Sequence, residues 1–375
     1  MFTGIRQITQ SSGEITSWIE IISDGKEEPY QDFQSEKTFT ETSLDETLRH
    51  LQQHGLITLD SAAEPLHQKI NRLSCTAEDL LVVRVAQLES YVSSHYSLAM
   101  SQPLELLRGA EILKNLYGAG RVIWAIEQSR QDAAELLRSK IYFLKKQNME
   151  VLEIPDLYPM DHPTQLQKIV LHQFGSKKSL VVVEDAATVF AVYEAMVKHK
   201  PLYERVVSLA GECLAEAKNS WVRFGSSAEE AMKAAKGILR DPKKLIFGGP
   251  MLGHAQENFQ SILPPSASAL LALPPENVVE YAEDPCTRCG KCVEVCPEGL
   301  EPAKIGDAFH HQSFAWAQEL RASDCMVCGN CSYICPSHIP LAQRVLQMQK
   351  PFFSPDLSWT SEVQPSLERD AVSKV

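Results

Sequence analysis

Between residues 121 and 210, short apolar runs alternate with stretches whose apolar residues recur at helical spacing. Arg121–Ile126, Val151–Ile154, Leu180–Val183 and Val206–Leu209 read as strands. Between them, Ala133, Leu137, Ile141 and Leu144 share one face of a helix that Ser129 can cap, 164–174 carries a second helical pattern, and Ala186–Lys198 a third. Alternation of this kind predicts a three-layer α/β domain with a largely parallel sheet. Upstream, Leu80–Val85 reads as a buried strand and 104–117 as a helix ending near Gly118. Leu44, Leu48 and Leu51 form a helical stripe opened by Ser43 and Glu46 at capping-box spacing, with Gly55 after it. The rest of 56–100 has no clear period. Residues 1–42 are mostly polar, with strand character over Glu14–Ile22 and a turn signal at Ser23–Lys26.

The pattern changes after residue 203. Short β runs (Arg205–Leu209, Trp221–Phe224, Lys244–Phe247) surround one helix, with Ser226 and Glu229 at capping-box spacing and Gly237 behind it. Gly248–Gly253 is a turn whose glycines permit positive φ. This predicts a small α+β unit. The prolines of 262–284 predict an extended linker. Further on, Ala303–His310 and Phe314–Arg321 have short helical patterns, and the chain after Pro351 is polar.

Length and charge narrow the classes. At 375 residues the chain should hold several domains. Its net charge is −12, and no Lys/Arg cluster gives the electrostatic footprint of nucleic-acid binding. Met1–Gln10 lacks signal-peptide features, and no apolar run approaches the ~18 residues that span a bilayer. The expectation is a cytoplasmic protein, peripheral on the inner face of the membrane only through partner subunits, with no direct membrane insertion.

Eight of the ten cysteines change the picture most. Cys286, Cys289, Cys292 and Cys296 form a C-x2-C-x2-C-x3-C run closed by Pro297, and Cys325, Cys328, Cys331 and Cys335 repeat it before Pro336. This is the bacterial ferredoxin spacing for [4Fe–4S] clusters, in which the fourth thiolate serves the other cluster. The expected ligand sets are therefore Cys286, Cys289, Cys292 and Cys335 for one cluster, and Cys325, Cys328, Cys331 and Cys296 for the second. Zinc knuckles take two thiolates, not four in a run, and disulfide frameworks suit short secreted chains. Cys75 and Cys213 stand alone and read as small buried hydrophobes. The 28 residues from Pro297 to Asp324 predict a helical module whose helices cover the clusters. His310 and His311 read as solvated helix-end residues. Arg288 and Lys291 sit in the first run, where the second has Val327 and Asn330. Those cations either stabilise a reduced cluster or are screened and serve docking.

An α/β sheet invites a nucleotide, but Glu127-Gln128-Ser129-Arg130 after the strand has no glycine, and Gly118-Ala119-Gly120 precedes the strand instead of following it.

Taken together the residues resemble the RnfC family, the cytoplasmic peripheral subunit of the Rnf ion-translocating electron-transport complex. The resemblance rests on the spacing of both cysteine runs, on Pro201–Ser208, on Ile246–Gly253 and on Cys335-Pro336-Ser337-His338-Ile339-Pro340. The cobalamin-reductase subunit of propanediol microcompartments shares the layout. The resemblance implies a multidomain α/β plus α+β chain: a shortened N-terminal β region (1–42), a complex I flavoprotein-like α/β domain (43–202), a β-grasp soluble-ligand-binding domain (203–262), a linker (263–284), an α-helical two-cluster ferredoxin domain (285–350) and a tail (351–375). Family members carry a glycine-rich flavin loop after the first helix and an acidic segment beyond it. Here Gly55–Pro65 retains one glycine, the acidic segment reads Ala86–Tyr91 with Gln87 beside Glu89, and a later glycine pair is replaced at Asp161-His162-Pro163. Glu89 and Tyr91 then read as relics that serve packing.

The expected function is an iron–sulfur electron-transfer subunit relaying electrons between redox protein partners, membrane subunits of an Rnf-like complex among them, and not a catalyst on its own. Two [4Fe–4S] clusters are expected, FMN and NADH are not. Two other readings compete: a complete NADH:acceptor oxidoreductase subunit with FMN, and a scaffold with structural clusters.

Overall fold

The computed structural model describes residues 2–9, 15–21, 43–60, 62–73, 75–176 and 178–353, with side chains given within 43–349. The chain divides into two units, Met1–Glu280 and Tyr281–Val375.

The first unit opens with β1 (Phe2–Thr9) and β2 (Ile15–Ile21), an antiparallel pair. The strand expected over Glu14–Ile22 is β2; the turn at Ser23–Lys26 lies outside the described residues. α1 (Leu44–Gln53) begins where the Ser43 side chain accepts the Glu46 N–H, and it buries Leu48 and Leu51. The aperiodic stretch after it holds α2 (Leu66–Arg72), β3 (Leu80–Arg84) and α3 (Ser94–Ser101). Then come α4 (Pro103–Tyr117), ended by Gly118 at φ +80, β4 (Arg121–Glu127), α5 (Gln131–Phe143), β5 (Met149–Ile154), α6 (Pro163–Phe174), β6 (Val181–Asp185) and α7 (Ala186–Lys198).

The sheet has the order β5-β4-β3-β6, and every pair is parallel. Successive residues of a strand point to opposite faces. Leu81, Val83, Val122 and Trp124 therefore enter one core with α1, α2, α4, α5 and α7, while Leu80, Val82, Ile123 and Ala125 enter another with Leu166 and Val170 of α6. These are the three layers that the alternation predicts. On the first face α4 and α7 cross closely: a Cβ on Gly109 would lie 2.2 Å from the Val189 carbonyl oxygen. Where α1 ends against α7, burial pushes the His50 and His54 imidazoles below their ordinary pKa. Ser129 is not the cap of α5: the position before Gln131 is Arg130, and the Ser129 hydroxyl is spent on Asp156. Leu144 falls just beyond the helix, 45% exposed.

β7 (Glu204–Ala210), β8 (Lys218–Arg223), α8 (Ala228–Ala234), β9 (Lys244–Phe247), β10 (His254–Gln256) and β11 (Ala269–Leu273) form a second sheet of order β10-β9-β11-β7-β8, with β11 parallel to β7 and the other pairs antiparallel. Ala228, Ala231 and Met232 of α8 pack on Leu209, Leu245 and Leu270, so the sheet grips one helix in the manner of a β-grasp. Two expectations are corrected here. The stretch read as a linker supplies β11, the buried central strand; its flanking prolines bound the strand without entering it. The capping box lies one residue later, at Ser227 and Glu230, because the Ser226 backbone is held by Arg223 and Leu263.

The second unit is helical, as the sequence predicts: α9 (Lys291–Glu294), α10 (Pro302–His310), α11 (Phe314–Glu319), α12 (Asn330–Tyr333) and α13 (Leu341–Phe353). Its core joins Leu300, Ile305, Ala308 and Ala317 to Val345 and Met348 of α13. The Gln349 amide donates to the Ala322 and Cys325 carbonyls at 2.9 and 2.7 Å and ties α13 to the second cysteine run. The helix continues past Pro351, where a polar tail is expected; residues 354–375 lie outside the description. Among the described residues no helix is long and apolar enough to cross a membrane.

Candidate functional site

The two cysteine runs share one backbone course. Arg288 and Val327 are left-handed at φ 56 and 55, Gly290 and Gly329 at 78 and 83, and Gly299 and His338 at 62 and 51. The first of these turns carries the amide back onto sulfur: the Arg288 N–H donates to Cys286 Sγ at 3.4 Å and the Val327 N–H to Cys325 Sγ at 3.3 Å. The second places glycine, which adopts positive φ at no steric cost, directly ahead of α9 and α12. Leu300 donates to Cys296 Sγ at 3.3 Å. Donors of this kind stabilise thiolate charge and tune a metal held by sulfur.

Cys286, Cys289, Cys292 and Cys335 line one cavity, and Cys296, Cys325, Cys328 and Cys331 line another. The last cysteine of each run thus joins the first three of the other. The two groups differ in exposure. Cys286 and Cys289 are exposed, whereas Cys328 and Cys331 are buried behind Ile305, Ala342 and Val345. Burial pushes the Cys325 thiol up to about 11 and the Cys331 thiol up to about 12, while the Lys291 backbone N–H holds Cys289 below its ordinary value. The cover over the second group comes partly from α13, which the sequence-based expectations omit; Leu341, Val345 and Met348 at helical spacing are its signal. Arg288 lines the first cavity, and Arg288 and Lys291 are both exposed. His310 and His311 are at the end of α10, with His310 also at the rim of the first cavity. Cys213 is fully buried and Cys75 half-buried against the α/β core.

In the first unit the carboxyl ends of β3 and β6 meet where the strand order reverses, the place where open α/β sheets bind ligands. Arg84 and Asp185 fill it as a buried bidentate pair, Nε to Oδ1 at 2.7 Å and Nη2 to Oδ2 at 2.9 Å. Burial opposes the Asp185 charge, but Arg84 beside it holds the carboxyl down to about 2. His95 Nε2 stands 3.9 Å from the same carboxylate, and burial pushes its pKa down to about 3. Asp161 accepts the Leu88 N–H at 3.1 Å, and burial raises its pKa.

Three turns around this point carry an anion of their own chain. Asp60 Oδ1 accepts the N–H of Ala62 at 3.0 Å and of Ala63 at 3.3 Å, with the Thr58 hydroxyl at 2.8 Å. Asp156 Oδ1 accepts the N–H and hydroxyl of Ser129, in the turn after β4, at 3.1 and 2.8 Å. Glu89 Oε2 accepts the N–H of Met251 at 2.8 Å and of Leu252 at 3.0 Å. Gly249 is required there, because a Cβ on it would lie 2.3 Å from that oxygen. Glu89 therefore fastens the glycine turn to the α/β domain; Tyr91 donates to Glu212 at 2.8 Å. Asp60 and Asp156 carry no signature in the sequence, because folding of the turns sets their partners.

A family model for the Nuo51 FMN-binding domain matches residues 51–194, and one for a 4Fe-4S dicluster domain matches 278–336. One subunit of the proton-translocating ferredoxin:NAD(+) oxidoreductase complex of Clostridium ljungdahlii is 26% identical over 76% of this chain and 63% of its own length. One subunit of the ion-translocating oxidoreductase complex of Pectobacterium atrosepticum is 30% identical over 90% and 50%, and its namesake from Haemophilus influenzae strain PittEE is 31% identical over 81% and 47%. The chain spans about half the length of the curated relatives it matches. Among solved structures, a chain of the NAD+-reducing [NiFe]-hydrogenase in the H2-reduced state superposes with a TM-score of 0.57 at 14% identity, over 84% of this chain and 63% of that one. That likeness carries the fold alone. The chain belongs to the RnfC family, with an α/β domain of the flavoprotein type and a C-terminal 4Fe–4S dicluster domain.

Proposed function

We propose that this chain is an iron–sulfur electron-transfer subunit that relays electrons between redox protein partners, membrane subunits of an Rnf-type complex among them. Cys286, Cys289, Cys292 and Cys335 would hold one [4Fe–4S] cluster, and Cys325, Cys328, Cys331 and Cys296 the other. The sorting of eight cysteines into two cavities of four is the observation that carries this reading. Each cluster supplies a reversible one-electron carrier. The chain supplies thiolates, backbone N–H donors aimed at sulfur, and an apolar wall that excludes water from the second site. The exposed first group, with Arg288 at its cavity, suits docking of an acidic partner.

The residues of the first unit do not fit FMN or NADH in this reading. A flavin phosphate needs unspent N–H groups and backbone able to approach it closely. The loop 55–65 retains one glycine, and Asp60 takes its amides. Asp156 takes those after β4, and the Arg84–Asp185 pair occupies the strand ends. The α/β domain is then a docking and structural body. The match to an FMN-binding family reports ancestry and fold.

Anaerobic replacement tests the ligand sets. Cys335→Ser should perturb the cluster of Cys286, Cys289 and Cys292, and Cys296→Ser the other, each leaving one intact [4Fe–4S] EPR signal. Loss of the cluster belonging to the mutated run in both variants would refute crossed ligation. The complete NADH:acceptor oxidoreductase reading returns if the purified chain carries stoichiometric FMN and its clusters bleach with NADH.

A further inference from the structure

Three histidines gather where α1 meets the end of α7, far in sequence from the cysteine runs. His50 and His54 lie one helical turn apart, His54 being the residue that closes α1, and His199 closes α7 in the left-handed conformation at φ 51. A ring nitrogen from each lies within 4.8 Å of the other two. The His50 and His54 rings have centroids 4.0 Å apart, and His199 meets His50 edge-on at 5.5 Å. Among the described residues this is the one such group of three.

The hydrogen bonds around the rings select lone pairs. His54 Nδ1 lies 2.8 Å from the His50 carbonyl oxygen, so it carries the proton and Nε2 carries the lone pair. His50 Nε2 lies 3.2 Å from the Ala195 carbonyl oxygen, which leaves its Nδ1 as the lone-pair nitrogen. His199 Nδ1 is buried with no hydrogen-bond partner. Carbonyl oxygens that fix the tautomer of an imidazole are the usual outer support of a metal-binding histidine. Packing alone gives no reason to bring three imidazoles together, since aliphatic side chains would fill the same space without buried nitrogens to satisfy.

We propose that His50, His54 and His199 bind a divalent transition-metal ion, zinc in the first instance, as a clip between α1 and α7. Neutral imidazole suits zinc, and three protein ligands leave one position to water. Tetrahedral zinc would draw the nitrogens to about 3.3 Å apart, given Zn–N bonds of ~2.0–2.1 Å, a shift that small side-chain rotations supply. The site is independent of the iron clusters and of the electron-transfer reading.

The test uses untagged full-length chain, prepared without oxygen and with its iron in place, so that the cysteines are occupied. Zn2+ titration followed by desalting should leave about one zinc per chain. X-ray absorption at the zinc edge should give only nitrogen or oxygen neighbours near ~2.0–2.1 Å, and the thermal midpoint should rise with Zn2+ concentration. His199→Asn keeps a residue tolerant of positive φ and should weaken zinc binding at least about tenfold with iron content unchanged. If that variant fails to fold, the wild-type zinc content and absorption spectrum decide alone. Retention of less than about 0.2 zinc per chain, a sulfur shell near ~2.3 Å, or undiminished binding in a folded His199→Asn would overturn the proposal.

Discussion

Arg84 and Asp185 decide much about the first unit, and neither is visible as a pair in the sequence. They lie 101 positions apart and meet because β3 and β6 run parallel in register. A buried pair of this kind adds little net stability, yet removing one partner strands the other charge. Asp185→Asn should therefore cost about 3–5 kcal/mol, read from urea unfolding of the chain. Acid acts on the same spot. His95 takes no proton in the folded state until about pH 3, whereas the unfolded chain binds one near ~6.5, so stability falls as pH drops below that value. Asp185 acts later: its contribution is present above the unfolded value of ~3.9 and is lost as pH falls towards about 2. Amide protection in β3 and β4 should decline from about pH 6.5 to about 4, and His95→Gln should flatten that decline. A pH-independent protection would remove His95 from the account. Lys291 carries the opposite lesson. It is exposed, so Lys291→Gln should lower the potential of the first cluster by only about 10–40 mV at low salt, and by less as salt screens it. A shift that persists at high salt would indicate a desolvated charge and a direct tuning role.

At the level of elements, periodicity carried the reading where a strand was buried on both sides or a helix had one apolar stripe. β3, β4 and β6 and helices α1, α4 and α7 follow that rule. It failed where the local pattern was ambiguous and tertiary pairing decided. β11 lies among prolines that suggest an extended connection, and only its place between β9 and β7 makes it a strand. Two adjacent serines followed by two adjacent glutamates left the cap of α8 open by one residue. Ser227→Ala should cost about 1 kcal/mol, and Ser226→Ala much less, in thermal melts that follow the first unit. The converse would return the cap to Ser226. Gly109 has no sequence signature beyond being a glycine inside a helix, yet α4 and α7 approach through it. Gly109→Ala should destabilise by about 1–3 kcal/mol through overpacking, against the small gain that alanine gives an exposed helix. A stabilised Gly109→Ala would mean that the helices can part without cost.

Over the whole molecule, the cysteine spacing was the most legible feature, because cluster ligation restricts which residues can stand at which intervals. The α-helical cover was legible in part, through α10 and α11 but not α13. The state of the flavin-type domain was legible only as glycine depletion; the carboxylates of Asp60, Asp156 and Glu89 that take up its amides appear only after folding. Glycine loss and internal anions point the same way, towards a body that keeps the family's architecture while the redox chemistry resides in the second unit. The anaerobic cofactor inventory of the full chain tests this most directly. The account predicts about eight iron and eight sulfide per chain, no FMN, and clusters reduced by dithionite but not by NADH. One FMN per chain with NADH-driven bleaching, or zinc in place of iron at the cysteines, would contradict it.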